Sequence, residues 1–455
     1  MKRLLIVILS LLMISTLFAC SSEKATNSKE KVPTNSKSSI KTNNKTSKKV
    51  ILPEIKGLSI AEAIVSMNGD INLVAEYLPT NEEYPNIIMG YKTNKPGDEV
   101  KAGDSVTIII ASKPQNAYSL DSKINYVSEI CKLTGPGSIN EELLNDAGIG
   151  GTDLGFPVNL GDEMIYVFGD TFSGQEMKGF WYSNFVARSK DKNLNDGLTF
   201  DSVITKENGI AKAFMEGKHQ KGDPNDRTVE VTKIPTGGIK IGDTTYLFYM
   251  SIRYWGEAGF WSVNYNQCCS SKDLNNWVDV DGLKWSEEEA PNFGQIYPYK
   301  DPNSNYIYIY GIEGGRNGGL VVARTTEANF LNRDEYEYKT GSNSWVKGDE
   351  GLKALLDNPY YLINPTVSEM TVQYNSYLGK YQIIFYRNSK LILLTADTPD
   401  GLFTNPVTLS TQTQYHGIYG GLTCDALLVD GGKSFYMIVS CWEVYNTYLV
   451  KVVFN

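Results

Sequence analysis

Residues 118–455 repeat one pattern of apolar and polar positions. An apolar run is followed by a turn rich in glycine, asparagine or aspartate, and then by an aromatic-rich run typical of a β-strand. The pattern occurs five times, as "VNLGDEMIYVFGD", "IKIGDTTYLFYMS", "YKDPNSNYIYIYGIE", "VQYNSYLGKYQIIFY" and "LLVDGGKSFYMIVSCW". Most copies are followed by a third strand-like run, such as "SNFVARSKD" or "LILLTADTPDGLF". Each copy therefore predicts an antiparallel meander.

Five meanders predict an all-β domain over residues 118–455, namely a five-bladed β-propeller whose first strands line a central channel. Helical periodicity is confined to short stretches such as "NEELLNDAG" and "GLKALL". A β-sandwich is the alternative, but it does not explain the fivefold recurrence.

The stretch "GGTDLGFPVNLGDEMIYVFGDTF", residues 150–172, predicts a tight hairpin with an aspartate at each end. Gly161-Asp162 forms a two-residue turn, with glycine at the first central position as a type II′ turn prefers. That register places Asp153 opposite Asp170 and surrounds them with Thr152, Thr171 and glycines as a small polar mouth. Two neighbouring carboxyls disfavour each other's negative charge, so one of them keeps its proton to a higher pH than the other. An acid paired with a base or a nucleophile requires such a difference. Aspartates are also frequent at strand ends, so this geometry alone leaves a purely structural role open.

Residues 50–113 follow a different pattern. "VILPEIKGLSIAEAIVSM" predicts a short strand, a turn and a helix opened by a capping box of Ser59 and Glu62. "EYPNIIMGYKTNKPGDEVKAGDSVTIIIAS" predicts two strands separated by glycine turns. The segment thus reads as a small α+β module, and "LPEIKGLSIAEAI" with "NKPGDEVKAGDSVTIIIASKP" resembles a PASTA domain. The resemblance implies attachment to, or sensing of, peptidoglycan, although such modules also act as spacers.

The first 49 residues indicate export rather than a fold. Met1-Lys2-Arg3, the apolar run "LLIVILSLLMISTLF" and Leu17-Phe18-Ala19-Cys20 predict a signal peptide over residues 1–20. Its end resembles a bacterial lipoprotein signal, which implies a lipidated Cys20 and a membrane anchor; an ordinary secretory peptide is the alternative. Residues 21–49 are rich in Lys, Ser and Asn, carry no aromatic residue, and predict a disordered tether.

Charge separates these parts. The chain carries −9 in total, of which the tether contributes +6 and the signal +2, leaving −17 for residues 50–455. An acidic body argues against nucleic acid as a partner. The basic tether could lie against anionic lipid or wall polymer, or simply keep a linker soluble. We therefore expect a lipid-anchored protein on the extracellular face of the cytoplasmic membrane, in the cell-wall zone.

The remaining inventory excludes several chemistries. Only His219 and His416 are present, neither with a histidine or cysteine at ligand spacing, so we expect no metal site and no cofactor. A structural calcium ion in the channel is compatible with the sequence but not required by it. Besides Cys20 there are five cysteines, an odd number that predicts buried thiols rather than a disulfide framework.

Over nearly all of residues 120–455 the chain resembles the bacterial domain-of-unknown-function family 4185. The resemblance rests on "GGTDLGFPVNLGDEMIYVFGDTF", "VTKIPTGGIKIGDTTYLFYMS", "NPTVSEMTVQYNSYLGKYQIIFY" and "GGLTCDALLV". It implies a five-bladed propeller, and an endo-D-arabinanase activity like that of family members in glycoside hydrolase family 183. Asp153 and Asp170 would then be the catalytic carboxylates, with Asp153 favoured as nucleophile and Asp170 as acid/base. Glu369 in "SEMTVQY" is a third candidate, and Asp425 and Glu230 rank below it.

Aromatic residues add a candidate sugar-binding surface. "SIRYWGEAGFWSVNY" places Trp255 and Trp261 in a predicted loop of the second blade, where flat faces could stack on sugar rings. The Lys-, Asn- and Ile-rich composition is typical of a low-GC Gram-positive product. The sequence thus predicts a surface glycoside hydrolase acting on a furanose-containing or other cell-envelope polysaccharide. The alternative is a non-catalytic lipoprotein that binds peptidoglycan or wall polysaccharide.

Overall fold

The computed structural model describes residues 48–455. The predicted signal peptide, Cys20 and most of the tether lie outside the described residues. Within the described range, no helix is long and apolar enough to cross a membrane.

A small α+β unit comes first. Its elements are β1 (Lys49–Ile51), α1 (Ile60–Ser66), β2 (Asn72–Pro79), β3 (Ile88–Tyr91), β4 (Glu99–Lys101) and β5 (Ser105–Ser112). The predicted capping box is present, since Ser59 Oγ accepts from Glu62 N and Ser59 N donates to Glu62 Oε2 at 2.8 Å. Strand β5 lies between parallel β2 and antiparallel β3. The unit has a hydrophobic core of its own, so a helix on a small sheet forms as predicted.

The regular secondary structure of the rest of the described chain is almost entirely β-strand. The strands are β6 (Ile124–Lys132), β7 (Gly151–Asn159), β8 (Met164–Phe172), β9 (Trp181–Tyr182), β10 (Phe185–Ser189), β11 (Ser202–Val203), β12 (Thr232–Ile241), β13 (Thr244–Trp255), β14 (Trp261–Ser271), β15 (Val278–Ser286), β16 (Gln295–Lys300), β17 (Tyr306–Ile312), β18 (Val321–Thr326), β19 (Glu337–Gly341), β20 (Ser344–Lys347), β21 (Met370–Asn375), β22 (Lys380–Arg387), β23 (Lys390–Ala396), β24 (Thr404–Thr411), β25 (Ile418–Leu422), β26 (Leu428–Val429), β27 (Ser434–Cys441) and β28 (Asn446–Phe454). Two short α-helices, α2 (Glu141–Asp146) and α3 (Gly348–Asp357), lie between them. Five 3-10 turns complete the elements: Pro291–Phe293, Glu327–Asn329, Arg333–Glu335, Asp425–Leu427 and Asp430–Gly432.

These strands form five antiparallel sheets of four or five strands. The sheets are β7 to β11, β12 to β15, β16 to β20, β21 to β24, and β25 to β28 with β6. Their first strands contact one another in sequence: β7 meets β12, β12 meets β16, β16 meets β21, and β21 meets β25. Strand β25 in turn contacts β7, so the five inner strands close a ring. The fold is all-β and propeller-like.

The ring is closed by the two ends of the domain. Strand β6 pairs with β28, the last strand, from Lys132 opposite Tyr448 to Ile124 opposite Phe454. The fifth sheet therefore combines the beginning and the end of the domain, which ties its termini together.

One hydrophobic cluster contains buried residues from all five sheets, among them Phe168, Leu247, Tyr310, Val372 and Ile438. The five cysteines of the described range are free, as predicted; Cys131 and Cys424 are only partly buried.

Candidate active site

The predicted turn of the β7–β8 hairpin is confirmed. Leu160 N donates to Glu163 O at 2.9 Å across Gly161-Asp162. Val158 faces Ile165, and at the other end Thr152 faces Thr171, all in the predicted register.

The ladder is interrupted between those ends. Leu154 and Gly155 adopt φ angles of 63° and 95°, and the register shifts on both sides of Leu154. Asp153 and Asp170 are therefore not ladder partners, and the prediction of a direct cross-strand pair is wrong. A non-glycine residue at positive φ stores backbone strain, a feature that clusters at functional sites.

Glycines make room for this interruption. A Cβ at Gly155 would meet Ile438 and Phe168 at 3.1 Å. A Cβ at Gly169 would overlap Oδ1 of Asp153. The glycine of "FGDTF" thus leaves the space that the Asp153 carboxyl occupies.

Asp153 lies on β7 with its carboxyl largely withdrawn from water. Oδ2 accepts a short hydrogen bond from the hydroxyl of Tyr419 on β25. Oδ1 is buried and has no hydrogen-bond partner among the described residues. Burial raises the pKa of Asp153 to about 7, more than hydrogen bonding from Tyr419 lowers it.

Asp170, at the end of β8, is held by two neighbouring elements. Its Oδ1 accepts from Trp181 Nε1 at 2.7 Å and from Thr232 Oγ1 at 2.6 Å. Burial raises the pKa of Asp170 well above its ordinary value, and the charge of Asp153 raises it further. The two aspartates are thus electrostatically coupled, although they are not ladder partners.

Tyr445 links both carboxyls from the β27–β28 turn. The charges of Asp153 and Asp170 both raise the pKa of Tyr445, after the larger effect of burial. Its carbonyl oxygen accepts from Thr152 N at 2.9 Å, which fixes the turn against the start of β7.

Glu369, directly before β21, belongs to the same end of the ring but is paired with a cation. Arg316 donates Nε to Oε2 at 2.9 Å and Nη2 to Oε1 at 2.8 Å. The guanidinium lies 4.6 Å from the Tyr419 ring centroid and 5.3 Å from that of Trp261. Among the smaller contributions to the pKa of Asp153, the charge of Glu369 raises it and that of Arg316 lowers it.

Thr152 and Thr171 do not form the expected polar mouth. Both are fully buried, and their hydroxyl oxygens lie 2.8 Å apart. Thr171 also donates to the carbonyl of Gly169 at 2.8 Å. In this structure they support the backbone around the aspartates instead of lying at a surface.

Trp255 and Trp261 are strand residues, which corrects the prediction of a loop. They face each other at the ends of β13 and β14, with ring centroids 5.6 Å apart. Trp255 is 38% exposed. Trp261 stacks with Arg316, so this hairpin end borders the site.

The two lower-ranked acids have other partners. Glu230, just before β12, accepts from Ser251 Oγ at 2.7 Å and Tyr265 OH at 3.1 Å. Asp425 lies in the turn after β25; burial raises its pKa to about 7, and its charged neighbour is Asp301, just beyond β16.

Sequence reasoning missed several residues that surround the aspartates, namely Arg316, Tyr419, Tyr445, Trp181 and Thr232. A signal existed for Arg316, which stands between glycine pairs in "EGGRNGG" directly after a strand. Trp181 begins β9, which pairs with the end of β8. Among the described residues, no group of three or more His, Cys, Asp or Glu side chains is placed to hold a metal ion.

Similarity to known proteins is low in sequence. An uncharacterised 35.9 kDa protein of Mycolicibacterium smegmatis is 21% identical over 222 residues, which are 46% of this chain and 62% of that protein. The chain thus spans about three fifths of that relative's length.

Among solved structures, a "putative hydrolase" of Bacteroides ovatus matches with a TM-score of 0.50 and 13% identity, over 74% of this chain and 94% of that one. A family 117 glycoside hydrolase of Zobellia galactanivorans matches with a TM-score of 0.41 and 11% identity, over 74% of this chain and 92% of that one.

The family model for "Domain of unknown function (DUF4185)" matches residues 138–451, which include all five inner strands and every candidate acid described above. The chain therefore belongs to the DUF4185 family.

Proposed function

We propose that the five sheets are the blades of a five-bladed β-propeller and that this propeller is a glycoside hydrolase. The observation that carries the proposal is a pair of desolvated aspartates, Asp153 and Asp170, each with a raised pKa. Structural carboxylates usually gain a cation or several donors that lower the pKa. Two coupled carboxyls kept partly protonated are the groups that glycoside hydrolysis requires.

The surroundings of the two carboxyls support an assignment of roles. Burial raises the pKa of Asp170 well above its ordinary value, which favours its protonated form, so it serves as the acid that protonates the glycosidic oxygen. Asp153, with a pKa of about 7, is ionised in a large fraction of molecules and serves as nucleophile or as base for the attacking water. The glycosidic bond breaks, water supplies the hydroxyl at the anomeric carbon, and its second proton returns to the carboxylates.

Glu369 is proposed to act through charge rather than as a proton donor. Arg316 engages both of its oxygens, which leaves neither carboxyl oxygen positioned to carry a proton to substrate. The charges of Glu369 and Arg316 act on Asp153 in opposite directions. The guanidinium of Arg316 also contacts the rings of Trp261 and Tyr419.

The substrate class is proposed from the family resemblance and the border of the site. A furanose-containing or other cell-envelope polysaccharide, cleaved as by an endo-arabinanase, fits a partly exposed Trp255 that faces Trp261 at the border of the site. We further propose that the small unit is a PASTA module contacting wall glycan or peptidoglycan, and that a lipidated Cys20 anchors the protein at the outer face of the cytoplasmic membrane. The signal pattern and the helix-on-sheet topology support these proposals.

Product release tests the function directly. The purified protein is incubated with arabinan, arabinogalactan and Gram-positive wall polymers, beside Asp153→Asn and Asp170→Asn. Oligosaccharides released by the wild type and absent with both variants are expected. Binding to one polymer without release, unchanged in the variants, would instead indicate a wall-binding lipoprotein.

A further inference from the structure

A cavity of about 470 Å³ lies where the small unit meets the ring. The small unit contributes Glu82, Glu83 and Tyr84 from the segment between β2 and β3. The ring contributes residues beside the β7–β8 turn and the β26–β27 turn, including Gly161 and Asp430. Asp153 and Glu369 lie at the starts of inner strands, and Asp170 lies at the adjoining end of β8, whereas these turns follow the ends of the inner strands. The cavity is therefore at the opposite end of the ring from these three acids.

The cavity wall contains a buried ammonium group that has polar and aromatic neighbours but forms no salt bridge among the described residues. Lys451 is 6% exposed and donates to the carbonyl of Asn81 at 2.8 Å and to Asn195 Oδ1 at 2.9 Å. It has three donors and no carboxylate within salt-bridge distance among the described residues. Beside it, the side-chain oxygen of Asn81 is buried and lacks a partner within the same range. Lys451 Nζ also lies 5.6 Å from the centroid of the Tyr436 ring, so two oxygens and an aromatic face surround the ammonium group.

Tyrosines and acids complete the wall. Tyr84 donates to Asp430 Oδ2 at 2.7 Å, which joins the small unit to the ring, and Tyr436 donates to Asn195 Oδ1 at 2.7 Å. Tyr126 and Tyr166 also line the cavity. Burial lowers the pKa of Lys451, and the charges of Asp430 and Glu83, one from each unit, offset part of that effect.

This combination indicates the ligand. Acids outnumber cations on the wall, with Glu82, Glu83, Asp191 and Asp430 against Lys192 and Lys451. That balance disfavours an anion, whereas interleaved donors, acceptors and tyrosines suit a ligand whose hydroxyl groups both donate and accept. The volume of the cavity falls within the usual range of small-molecule sites, roughly 300–1,000 Å³.

We propose that the cavity is a second carbohydrate-binding site, which holds a neutral, hydroxyl-rich glycan segment between the small unit and the ring. The site itself rests on the cavity, whereas the choice of a glycan over another polyol rests on the proposed function. A polysaccharide held there is bound independently of the aspartates at the other end.

Occlusion of the cavity is the sharpest test. Asn193 and Lys192 line the cavity but are exposed, so Asn193→Trp and Lys192→Trp fill its mouth without disturbing the core. Asn193→Ala and Lys192→Ala are the matched controls. All are made in the Asp170→Asn background, so that the probes are not consumed, and each is checked for an unchanged melting temperature.

The probes are arabinopentaose, galactotetraose and the N-acetylglucosamine tetramer, titrated calorimetrically. At least one is expected to bind in a mode that both tryptophan variants weaken by tenfold or more and both alanine variants leave intact. Binding of no probe, or binding insensitive to occlusion, would overturn the proposal.

The two proposals fail separately. If only the cavity proposal is wrong, the wild-type protein releases product and no binding mode responds to occlusion. If only the hydrolase proposal is wrong, no product appears, while occlusion-sensitive binding remains and Asp153→Asn does not change it.

Discussion

The β7–β8 and β21–β22 hairpins both bring an acid to the same end of the ring, but they treat its charge in opposite ways. In the fourth sheet the β21–β22 ladder runs without a register shift from Met370 opposite Phe385. Glu369, the residue directly before this strand, forms a bidentate ion pair with Arg316. In the first sheet the ladder breaks beside Asp153, and neither aspartate has a salt-bridge partner among the described residues.

The presence or absence of a cation beside the carboxyl decides whether its charged or its protonated form is favoured. A bidentate arginine engages both oxygens of a carboxylate and stabilises its charge. Desolvation without a cation does the reverse, because it favours the protonated carboxyl. In the proposed reaction, the interrupted hairpin supplies the carboxyls that transfer protons, and the regular hairpin supplies a constant charge beside them.

Neutralising the aspartates should have the largest effect. We expect Asp153→Asn and Asp170→Asn each to lower product release by about 10³-fold or more, since each removes a group that reacts. Glu369→Gln should cost much less, because Arg316 keeps one acceptor. Initial rates on one polymer, with folding checked by circular dichroism, measure the three variants. A Glu369→Gln loss as large as that of the aspartates would make Glu369 a reacting group.

Breaking the ion pair of Arg316 and Glu369 should lower the stability of the fold. Arg316→Met leaves Glu369 buried without a cation, which should cost about 3 kcal/mol of the free energy of unfolding. Arg188 and Glu163 form a similar bidentate pair near the β7–β8 turn, with the arginine side chain 36% exposed. Arg188→Met should therefore cost only about 1 kcal/mol or less. Denaturant titrations compare the two; equal losses would show that burial does not distinguish the pairs.

Much of the first sheet was predictable from local signals. Gly161-Asp162 predicted the turn, and the turn predicted the register, because both depend on neighbours in sequence. The interruption at Leu154 was not predictable, since leucine rarely adopts a positive φ. Arg316 and Glu369 are 53 residues apart, and no local pattern reports such a contact. Trp255 and Trp261 were placed in a loop because their glycines suggested one, whereas the strands continue to both residues.

Removing the buried carboxyl of Asp153 should also stabilise the fold. An unfolded aspartate has a pKa of about 3.9 and the folded one about 7, so stability is lost as the pH rises through that interval. Asp153→Asn lacks this loss and should be more stable than wild type by about 2 kcal/mol at pH 8, with a smaller difference at pH 4.5. Urea titrations at the two pH values measure it, with Asp162→Asn in the exposed turn as control. A difference that does not change with pH would contradict a raised pKa at Asp153.

The smallest expected effect is a displaced pH profile. It tests whether the ion pair of Arg316 and Glu369 changes the pKa of Asp153. Hydrolysis needs Asp153 ionised, so kcat/KM should rise with pH through a midpoint near 7. Glu369→Gln removes a charge that raises the pKa of Asp153, so this midpoint should move to lower pH. Arg316→Met removes a charge that lowers the pKa of Asp153, so the midpoint should move to higher pH.

Glu163→Gln, at the other end of the hairpin, should leave the profile in place. Shifts of both site variants in the same direction would mean that they act by distorting the site, whereas opposite shifts require that the regular hairpin supplies the field in which the interrupted hairpin titrates.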